Sequence, residues 1–454
     1  MKQYLFSKKA FLSALFFFFT LTSFSQTTFT DGDLNYQING DGVSVTVTGH
    51  ALDYEHANGP LVIPESVNYQ GTDYTVTNIG NAAFLYYFYL TSLSLPNSLT
   101  TIENSAFAYC SGFAGDLIIP NSVTTIEESA FFTCYSFDGD IVLGNSLTTI
   151  GDGAFNSCDG LHGVLNIPSS VTSIGALAFR YCNFSGITVD PANPVFDSRD
   201  NCNAVIVTET NELLFGCVNT VIPNTVTAIG ENAFCGLALT SISIPNSVTT
   251  IGAGAFSFCF DLTGDLTIPN SVTYIGSGAF FQCSGFDGTL TIGEGVTYIG
   301  DEAFRRCSHF TKAVSLATTP AELGFEYAGM VFNEFGCQVL TVPFGCASAY
   351  QNSNWYDPMG MNGFYEFIEA EPTSVSEVGS SVTTVYPNPT HGAVTIEAQG
   401  ITKVSIFNLQ GQMVYESVAS GNVFEYDFSD QKAGMYLIQV ETQKGVETRK
   451  ITVL

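Results

Sequence analysis

Residues 119–134 read Ile119-Pro-Asn-Ser-Val-Thr-Thr-Ile126-Glu-Glu-Ser-Ala-Phe131-Phe-Thr-Cys134, and close variants of this unit recur along most of the chain. Its shorter core, V/L-T-x-I-x-x-x-A-F, occurs nine times and ends at Phe84, Phe107, Phe131, Phe155, Phe179, Phe234, Phe256, Phe280 and Phe304. A fixed period of 24 residues separates Ile102, Ile126, Ile150 and Ile174. Such a period is typical of a solenoid, in which each turn buries its apolar side chains against its neighbours.

Each turn, called a rung below, is predicted to contain a short strand, a bend and a second extended segment. Leu239-x-x-Ile242-x-Ile244 matches the L-x-x-L-x-L strand of leucine-rich repeats, and a proline ends most of these strands. An added glycine, predicted to need a positive φ, occurs at Gly115, Gly139, Gly163, Gly264 and Gly288. The predicted fold is mainly β: a leucine-rich-repeat solenoid of about a dozen rungs of 22–24 residues, followed by a small Ig-like β-sandwich.

One outward residue per strand should form a column across the rungs, because successive side chains of a strand point to opposite faces. These candidate binding residues are Ser94, Ile118, Val142, Asn166, Thr188, Ser243, Thr267 and Thr291. None is charged, so the column could accept an extended or basic segment of a partner. Ordinary exposed strand residues of high β-propensity would look the same.

The regular spacing breaks once, between Asp190 and Pro223, where 33 residues occupy the place of 24. The surplus near 190–223 is predicted to form a hairpin with strands at 204–207 and 213–215. Solenoids need caps at both ends of the core. Residues 26–60 are the predicted N-terminal cap, and residues 337–368 the C-terminal cap of a solenoid that spans 61–368.

The repeat resembles the BspA-type leucine-rich-repeat family of bacterial surface proteins. The likeness lies in the I-P-N-S-V-T-x-I-G-x-x-A-F-x-x-C unit and in the insert Asp190-Pro-x-x-Pro194…Asp197-Ser-Arg-Asp-Asn-Cys202, and it covers residues 61–346. The resemblance implies a protein of the cell surface. Some members of that family are adhesins for host matrix proteins.

The C-terminal seventy residues differ in composition from the repeats. Residues 369–384 are small and polar, which predicts a linker, and residues 385–454 contain short alternating strands. This segment resembles the type A sorting domain of type IX secretion through Tyr386-Pro-Asn-Pro-Thr390, Phe407-Asn-Leu-Gln-Gly411-Gln412, Gly434-Met-Tyr-Leu437 and the tail from Lys450. The resemblance implies contact with the type IX machinery and passage across the outer membrane. An ordinary Ig-like adhesion module is the alternative.

The N-terminus also indicates export. Three lysines precede an apolar run that ends in small residues, so residues 1–25 are predicted to be a cleaved signal peptide. The formal net charge is −29, which does not suit binding to nucleic acid. We therefore expect a protein that is secreted or held at the outer surface of the cell.

The sequence contains none of the common catalytic motifs, and no enzymatic activity is predicted. Seven of the twelve cysteines lie three residues after a repeat phenylalanine, which predicts a packed column of thiols. Export favours disulfides elsewhere, and the candidate pairs are Cys202 with Cys217 and Cys337 with Cys346.

No cofactor is predicted, although two clusters could bind a metal. His50, Asp53, Glu55 and His56 are close in sequence, with a polar loop as the alternative. Asp116, Asp140 and Asp265 recur beside the added glycines, where like charges one rung apart repel unless they are solvated or bridged by calcium. A solvated acidic edge is the simpler interpretation.

The function predicted from these features is adhesion or protein binding without catalysis. The partner would be an extracellular or host protein, or a surface glycan. The alternative is a structural scaffold of the cell envelope or extracellular matrix that has no defined ligand.

Overall fold

The computed structural model describes residues 26–324, 330–359, 361–370, 383–408, 412–442 and 445–454. The predicted signal peptide, residues 371–382 of the predicted linker and residues 409–411 of the sorting motif lie outside these ranges. The chain divides into two compact units, one running to Val342 together with Ser348–Phe367, the other comprising Pro343–Ala347 and Ile368–Leu454. The described part contains no helix of the length and apolarity needed to cross a membrane.

The first unit is a solenoid in which consecutive rungs pair through parallel strands. The strands that present the predicted column, called column strands here, alternate inward and outward side chains. They are Gly59–Val62, Leu90–Ser94, Leu117–Ile118, Ile141–Val142, Val164–Ile167, Gly186–Val189, Leu266–Ile268, Thr289–Ile292, Lys312–Ser315 and Val339–Val342, and Glu366–Glu369 completes the last of their sheets.

A second short strand follows the bend in each rung and pairs with its counterparts, isoleucine beside isoleucine. These strands are Thr101–Ile102, Thr125–Ile126, Thr149–Ile150, Ser173–Ile174, Ala228–Ile229, Thr250–Ile251, Tyr274–Ile275, Tyr298–Ile299 and Glu322–Leu323. The isoleucines point inward because one face of each strand must cover the core.

The third side of each rung is a series of tight turns that still bonds to the next rung. The backbone N–H groups of Ser105, Phe107 and Tyr109 donate to carbonyl oxygens of the following rung. Ser105 and Tyr109 adopt left-handed conformations, with φ of 54° and 61°. This alternation turns every second N–H toward the neighbouring rung, so the turns also satisfy their backbone.

The repeat phenylalanines stack into a spine of two runs inside the solenoid. Phe131 and Phe155 have ring centroids 5.4 Å apart, and Phe155 and Phe179 have theirs 5.2 Å apart. Two members were not predicted: Phe215 of the insert stacks on Phe179 at 5.2 Å, and Phe332 stacks on Phe304 at 5.5 Å. One run of the spine therefore ends at Phe215 in the insert, and a second run begins at Phe234 and extends into the C-terminal cap.

The added glycines have two different causes, and the single one predicted was incomplete. Gly115, Gly163 and Gly264 adopt φ of 83°, 79° and 77°. Gly139 and Gly288 do not have a positive φ. A Cβ at Gly139 would lie 2.1 Å from Oδ1 of Asp116 and 2.8 Å from its backbone nitrogen, so close approach of the preceding rung requires glycine there.

The insert forms a hairpin near the predicted positions. Ala204–Val207 pairs antiparallel with Glu212–Gly216 and with Phe196–Asp197, and Glu212–Gly216 continues in parallel into Ala228–Ile229. The strand predicted at Leu239–Ile244 is wrong, since no strand forms there. The rung before it is built from the insert, and Val221 N–H bonds to the carbonyl oxygen of Cys202, outside any strand.

Both ends of the solenoid core are covered. At the N-terminal end, Thr28–Asp31, Leu34–Ile38 and Ser44–His50 form an antiparallel meander that joins Ser66–Tyr69 and Thr72–Ile79 in one sheet. At the other end, a short helix at Ala347–Gln351 precedes Trp355. The Trp355 indole is fully buried and donates to the carbonyl oxygen of Ala321 at 2.7 Å.

The C-terminal unit is a small antiparallel β domain of the Ig-like sandwich type. Its strands are Thr384–Tyr386, Ala393–Asn408, Met413–Asp427, Gly434–Thr442 and Gly445–Val453. The long strand Ala393–Asn408 pairs with three of the others. Val394, Ile406 and Ile438 belong to a core of its own.

Candidate functional site

The outward column is the first candidate site, and the structure places three pairs of its members in register on neighbouring rungs, whereas Ser243 lies outside any strand. Ile118 pairs with Val142, Asn166 with Thr188, and Thr267 with Thr291. All eight predicted residues are exposed except Thr291, which is half-buried. Val62 pairs with Ser94 and Val314 with Thr291, so both extend the column beyond the predicted residues.

The insert covers one side of this column and creates a pocket. The pocket has a volume of about 800 Å³. Val142, Asn166 and Thr188 form its floor, and residues 190–201 with Thr208 form its wall. The column and the insert thus meet in one site.

An ion pair shapes the wall of the pocket. The Arg199 guanidinium holds Asp197 through two hydrogen bonds, of 2.8 and 2.6 Å, and also donates to Oδ1 of Asn211 at 2.7 Å. Thr208 donates to the same carboxylate at 2.8 Å. Burial raises the pKa of Asp197, but the bonds from Arg199 and Thr208 outweigh it and the pKa is lowered. The pair therefore remains ionised and mutually neutralised at neutral pH.

Asn193 and Ser198 fasten the wall to the rungs beneath it. The Asn193 amide donates to the carbonyl oxygens of Pro168 and Val171, both at 2.9 Å. The Ser198 hydroxyl accepts from the N–H of Val189 at 3.0 Å. Since these bonds use backbone groups of the preceding rungs, the wall is held at a set height above the floor.

The groups left for a ligand are amides and one carboxylate. Among the described residues that line the pocket, the ionisable side chains are Asp190, Asp197 and Arg199. Asp190 is exposed, and its Oδ1 accepts a bond from the N–H of Ala192 at 2.8 Å. With Asp197 neutralised by Arg199, the lining carries a net negative charge at Asp190. This arrangement favours binding a segment that brings hydrogen-bond donors or a positive charge.

The structure contains the cysteines as free thiols, and neither of the two predicted disulfides is formed in it. All twelve cysteines lie in the described residues and none is paired. The Cys202 thiol donates to the carbonyl oxygen of Ala204, and the Cys217 thiol to that of Asn203. Cys337 and Cys346 likewise bond to carbonyl oxygens nearby in sequence. Each sulfur is thus directed to a local backbone acceptor instead of its predicted partner.

The recurring aspartates bind backbone of the next rung. Oδ1 of Asp116 accepts from the N–H of Asp140 at 2.9 Å, and Oδ1 of Asp265 accepts from the N–H of Thr289 at 2.6 Å. In the loop of the N-terminal cap, Asp53 bonds to His56 at 2.5 Å, and both side chains are exposed. The described residues contain no group of three or more metal-ligating side chains close enough to hold an ion.

The roles of Asp197, Arg199 and Asn193 were not predicted from the sequence. One signal was available: Arg199 is among very few basic residues in the solenoid, and it stands in a stretch rich in Asp and Asn. An isolated arginine beside aspartate is a candidate ion pair. Its position above the column could not be inferred, because it depends on how the hairpin folds back.

Comparison with known proteins gives the family. The BspA type leucine rich repeat region matches residues 71–199 and 215–321 in six copies. The secretion system C-terminal sorting domain matches residues 384–454. No curated protein matches the chain.

Several solved structures are similar. A leucine rich cell surface protein from Faecalibacterium prausnitzii is 25% identical over 64% of this chain and 95% of its own, with a TM-score of 0.42. The pneumococcal vaccine antigen PcpA is 17% identical over 76% of this chain and 99% of its own, with a TM-score of 0.48. A leucine-rich repeat protein from Bacteroides ovatus is 20% identical over 76% and 100%, with a TM-score of 0.40.

The family match covers more than half of the chain, and the sorting domain accounts for its C-terminal unit. The chain therefore belongs to the BspA-type leucine-rich-repeat proteins, and its sorting domain makes it a secreted protein of the cell surface.

Proposed function

We propose that this protein is a binding protein whose partner is an extended segment of an extracellular protein. The segment lies along the column and inserts a basic side chain into the pocket beneath the insert. The observation that carries the proposal is the pocket itself, because it joins exposed column residues to the insert in one concave surface.

The column supports an extended occupant. Its members repeat at the spacing of the strands, roughly 4.8 Å, and none is charged. Many weak contacts along such a strip can add up to useful affinity without a single dominant residue. Ile118 and Val142, which are 59% and 50% exposed, give the strip apolar surface.

Charge supports a basic side chain in the pocket. Asp190 has no cationic partner among the described residues, whereas Asp197 is already neutralised by Arg199. A lysine or arginine of the partner could pair with Asp190 while Asn145 and Asn201 bond to its backbone. The strongly acidic chain would also attract a basic segment from a distance.

The proposal is tested by surface plasmon resonance on the full exported chain. The probes are arrays of extended peptides, matched except for lysine or glutamate at the centre, and immobilised matrix proteins. We expect lysine peptides to bind. Replacing Val142, Asn166 and Thr267 together by tryptophan should weaken binding at least about tenfold, equivalent to ~1.4 kcal/mol. Asp190→Asn should remove the preference for lysine.

Tyr274→Trp is the matched control, because Tyr274 is 42% exposed on a second strand and outside the column. It should bind as the unmodified chain does. Equal binding by the triple variant would exclude the column. Absence of any bound peptide or matrix protein would favour the alternative of a structural scaffold without a ligand.

A further inference from the structure

A second surface, distinct from the column and its pocket, lies on the turn side of the solenoid. Aromatic side chains lie there on the first three regular rungs and again on the fifth. We call this surface the aromatic edge; its residues are Tyr86, Phe88, Tyr89, Tyr109, Phe132, Tyr135 and Tyr181. Tyr86 stacks on Tyr109 at 4.8 Å, and Tyr109 meets the edge of Phe132 at 5.3 Å.

These rings are accessible to a partner. Tyr89 is 58% exposed and Tyr135 is 51% exposed. The spine phenylalanines already fill the core, so the fold does not need aromatic side chains at these outer positions. Ser157 and Gln282 show that the repeat accepts small or polar residues at one of these positions, and on later rungs Phe258, Phe260 and Phe281 form a second aromatic group. Exposed aromatic side chains in a cluster are a feature of recognition surfaces.

A groove of about 430 Å³ opens in the aromatic edge. Tyr135 stands on one side and Tyr181 on the other. Ser157, Asp159, Asn183 and Gly236 complete the described lining. The small side chain of Ser157, on the rung between the two tyrosines, leaves the space between them.

Tyr181 is fixed in place before any ligand binds. The Arg180 guanidinium carbon lies 4.4 Å from the centre of its ring, and Nη2 of Arg180 donates to the tyrosine hydroxyl at 2.8 Å. Gly236 is in contact with the ring, since a Cβ there would come within 1.9 Å of it. An ordered ring loses little conformational entropy on binding.

The polar groups of the groove are oriented too. The Asn183 amide nitrogen donates to the backbone carbonyl oxygen of Asp159 at 2.7 Å, which turns its side-chain oxygen outward. The Asp159 carboxylate is exposed and has no bonding partner among the described residues. Two sets of acceptors thus stand between two aromatic side chains, while Arg180 is engaged with Tyr181.

We propose that the aromatic edge binds a neutral polysaccharide, with one sugar unit in the groove. The C–H face of a pyranose ring packs on an aromatic face, whose π electrons are negative, and its hydroxyls donate to Asp159 and Asn183. An anionic polysaccharide is disfavoured because Asp159 would repel it. Tyr86 and Tyr109, on consecutive rungs, add a pair of rings 4.8 Å apart along the same edge.

Affinity electrophoresis of the full exported chain tests this proposal. The gels contain xylan, galactomannan, laminarin or starch, with alginate as the acidic comparison. We expect retardation by at least one neutral polysaccharide and none by alginate. Tyr135→Ala should lose most of the retardation, whereas Tyr135→Phe should keep it, because the aromatic face and not the hydroxyl makes the contact.

Phe260→Ala is the matched control. Phe260 follows its spine phenylalanine by four residues, as Tyr135 does, and is 52% exposed, but it lies outside the groove. It should leave retardation unchanged. The proposal is overturned if no neutral polysaccharide retards the chain, or if Tyr135→Ala is retarded like the unmodified chain. It is also overturned if Tyr135→Ala abolishes binding to a protein but not to the polysaccharide. The Asn166→Trp variant, which alters the column, should be retarded normally. A negative result for partner binding at the column would therefore not count against polysaccharide binding at the aromatic edge.

Discussion

The Cys158 thiol donates a hydrogen bond to the carbonyl oxygen of Phe131, 27 residues earlier and one rung away, at 3.1 Å. The same bond recurs between Cys134 and Phe107 and between Cys283 and Phe256, at 3.1 and 3.0 Å. The repeated cysteine therefore fills the core and also bonds one rung to the next. This explains why thiols persist in an exported protein, where disulfides would be expected.

The first prediction concerns the reactivity of these thiols. After unfolding without reductant, all twelve cysteines should be alkylated, because none is paired in the structure. Before unfolding, Cys158 should resist iodoacetamide at pH 8, since burial raises its pKa to about 12 and the thiolate is the reactive form. Intact mass and peptide mapping measure both. A mass lower by two alkyl groups in the unfolded sample would show that one of the predicted disulfides is present.

The second prediction is that stability falls at alkaline pH. Burial raises the pKa of Cys158 and Cys259 to about 12, whereas an unfolded thiol ionises near 8.5. The contribution of each buried, protonated thiol to the unfolding free energy is therefore complete below pH ~8.5. It is lost as the pH rises toward the pKa of the folded thiol. Between these values the unfolded chain has released the proton and the folded chain has kept it, so each thiol lowers the unfolding free energy by up to about 1.4 kcal/mol per pH unit.

Denaturant melts at pH 7.5 and pH 10 measure this loss. The difference between the two pH values should be smaller in Cys158→Ala than in the unmodified chain, because tyrosine ionisation affects both equally. An identical difference in the two proteins would show that the Cys158 thiol does not contribute.

The third prediction concerns the spine. Phe155 is fully buried between Phe131 and Phe179, and neighbouring rungs are too regular to collapse into the space it occupies. Phe155→Ala should cost about 3–5 kcal/mol of unfolding free energy. The exposed Phe260→Ala should change it by less than about 0.5 kcal/mol in the same denaturant melts. A Phe155→Ala loss below about 1 kcal/mol would contradict a packed spine.

The fourth prediction separates the two causes of the added glycines. Gly163 has φ of 79°, and a Cβ there would lie 2.1 Å from Oδ1 of Asp140. Gly163→Ala should cost roughly 2–5 kcal/mol, from the left-handed backbone and from overpacking. Adding Asp140→Ala removes the clash and should recover about 1–3 kcal/mol of it. Gly115→Ala, with φ of 83° and nothing within 4 Å, should show the backbone cost alone, about 1–2 kcal/mol.

The losses of unfolding free energy in Gly163→Ala and Asp140→Ala could simply add in the double variant. That result would mean that the Asp140 carboxylate moves away from the added methyl group without cost. The unfolding free energies of the four proteins measure the coupling.

Periodicity was enough to predict the rungs, the spine and the outward column, because each depends on residues a fixed distance apart. Phe84 stacks on Phe107 for this reason, and Ile118 pairs with Val142. The pocket was not predictable in this way. It depends on bonds such as those from Arg199 to Asn211 and from Asn193 to Pro168, which the repeat does not encode. Periodicity alone could not explain the glycines either, since a Cβ at Gly139 would clash with the preceding rung and not within its own.

The last prediction concerns export. The described residues of the C-terminal unit have a hydrophobic core of their own, and the sorting domain occupies residues 384–454. Deletion of residues 385–454 should therefore leave the repeats folded, because the solenoid does not depend on that core, but should keep the protein in the periplasm. Cell fractionation gives its location, and circular dichroism with limited proteolysis reports the fold.

Asn166→Trp in the full chain is the control for that experiment, because it alters an exposed side chain of the column and leaves the sorting domain intact. It should reach the cell surface normally. Surface display of the truncated protein at the level of this control would mean that the C-terminal domain is an adhesion module and not the export signal. Misfolded repeats in the truncated protein would instead mean that the two units fold together.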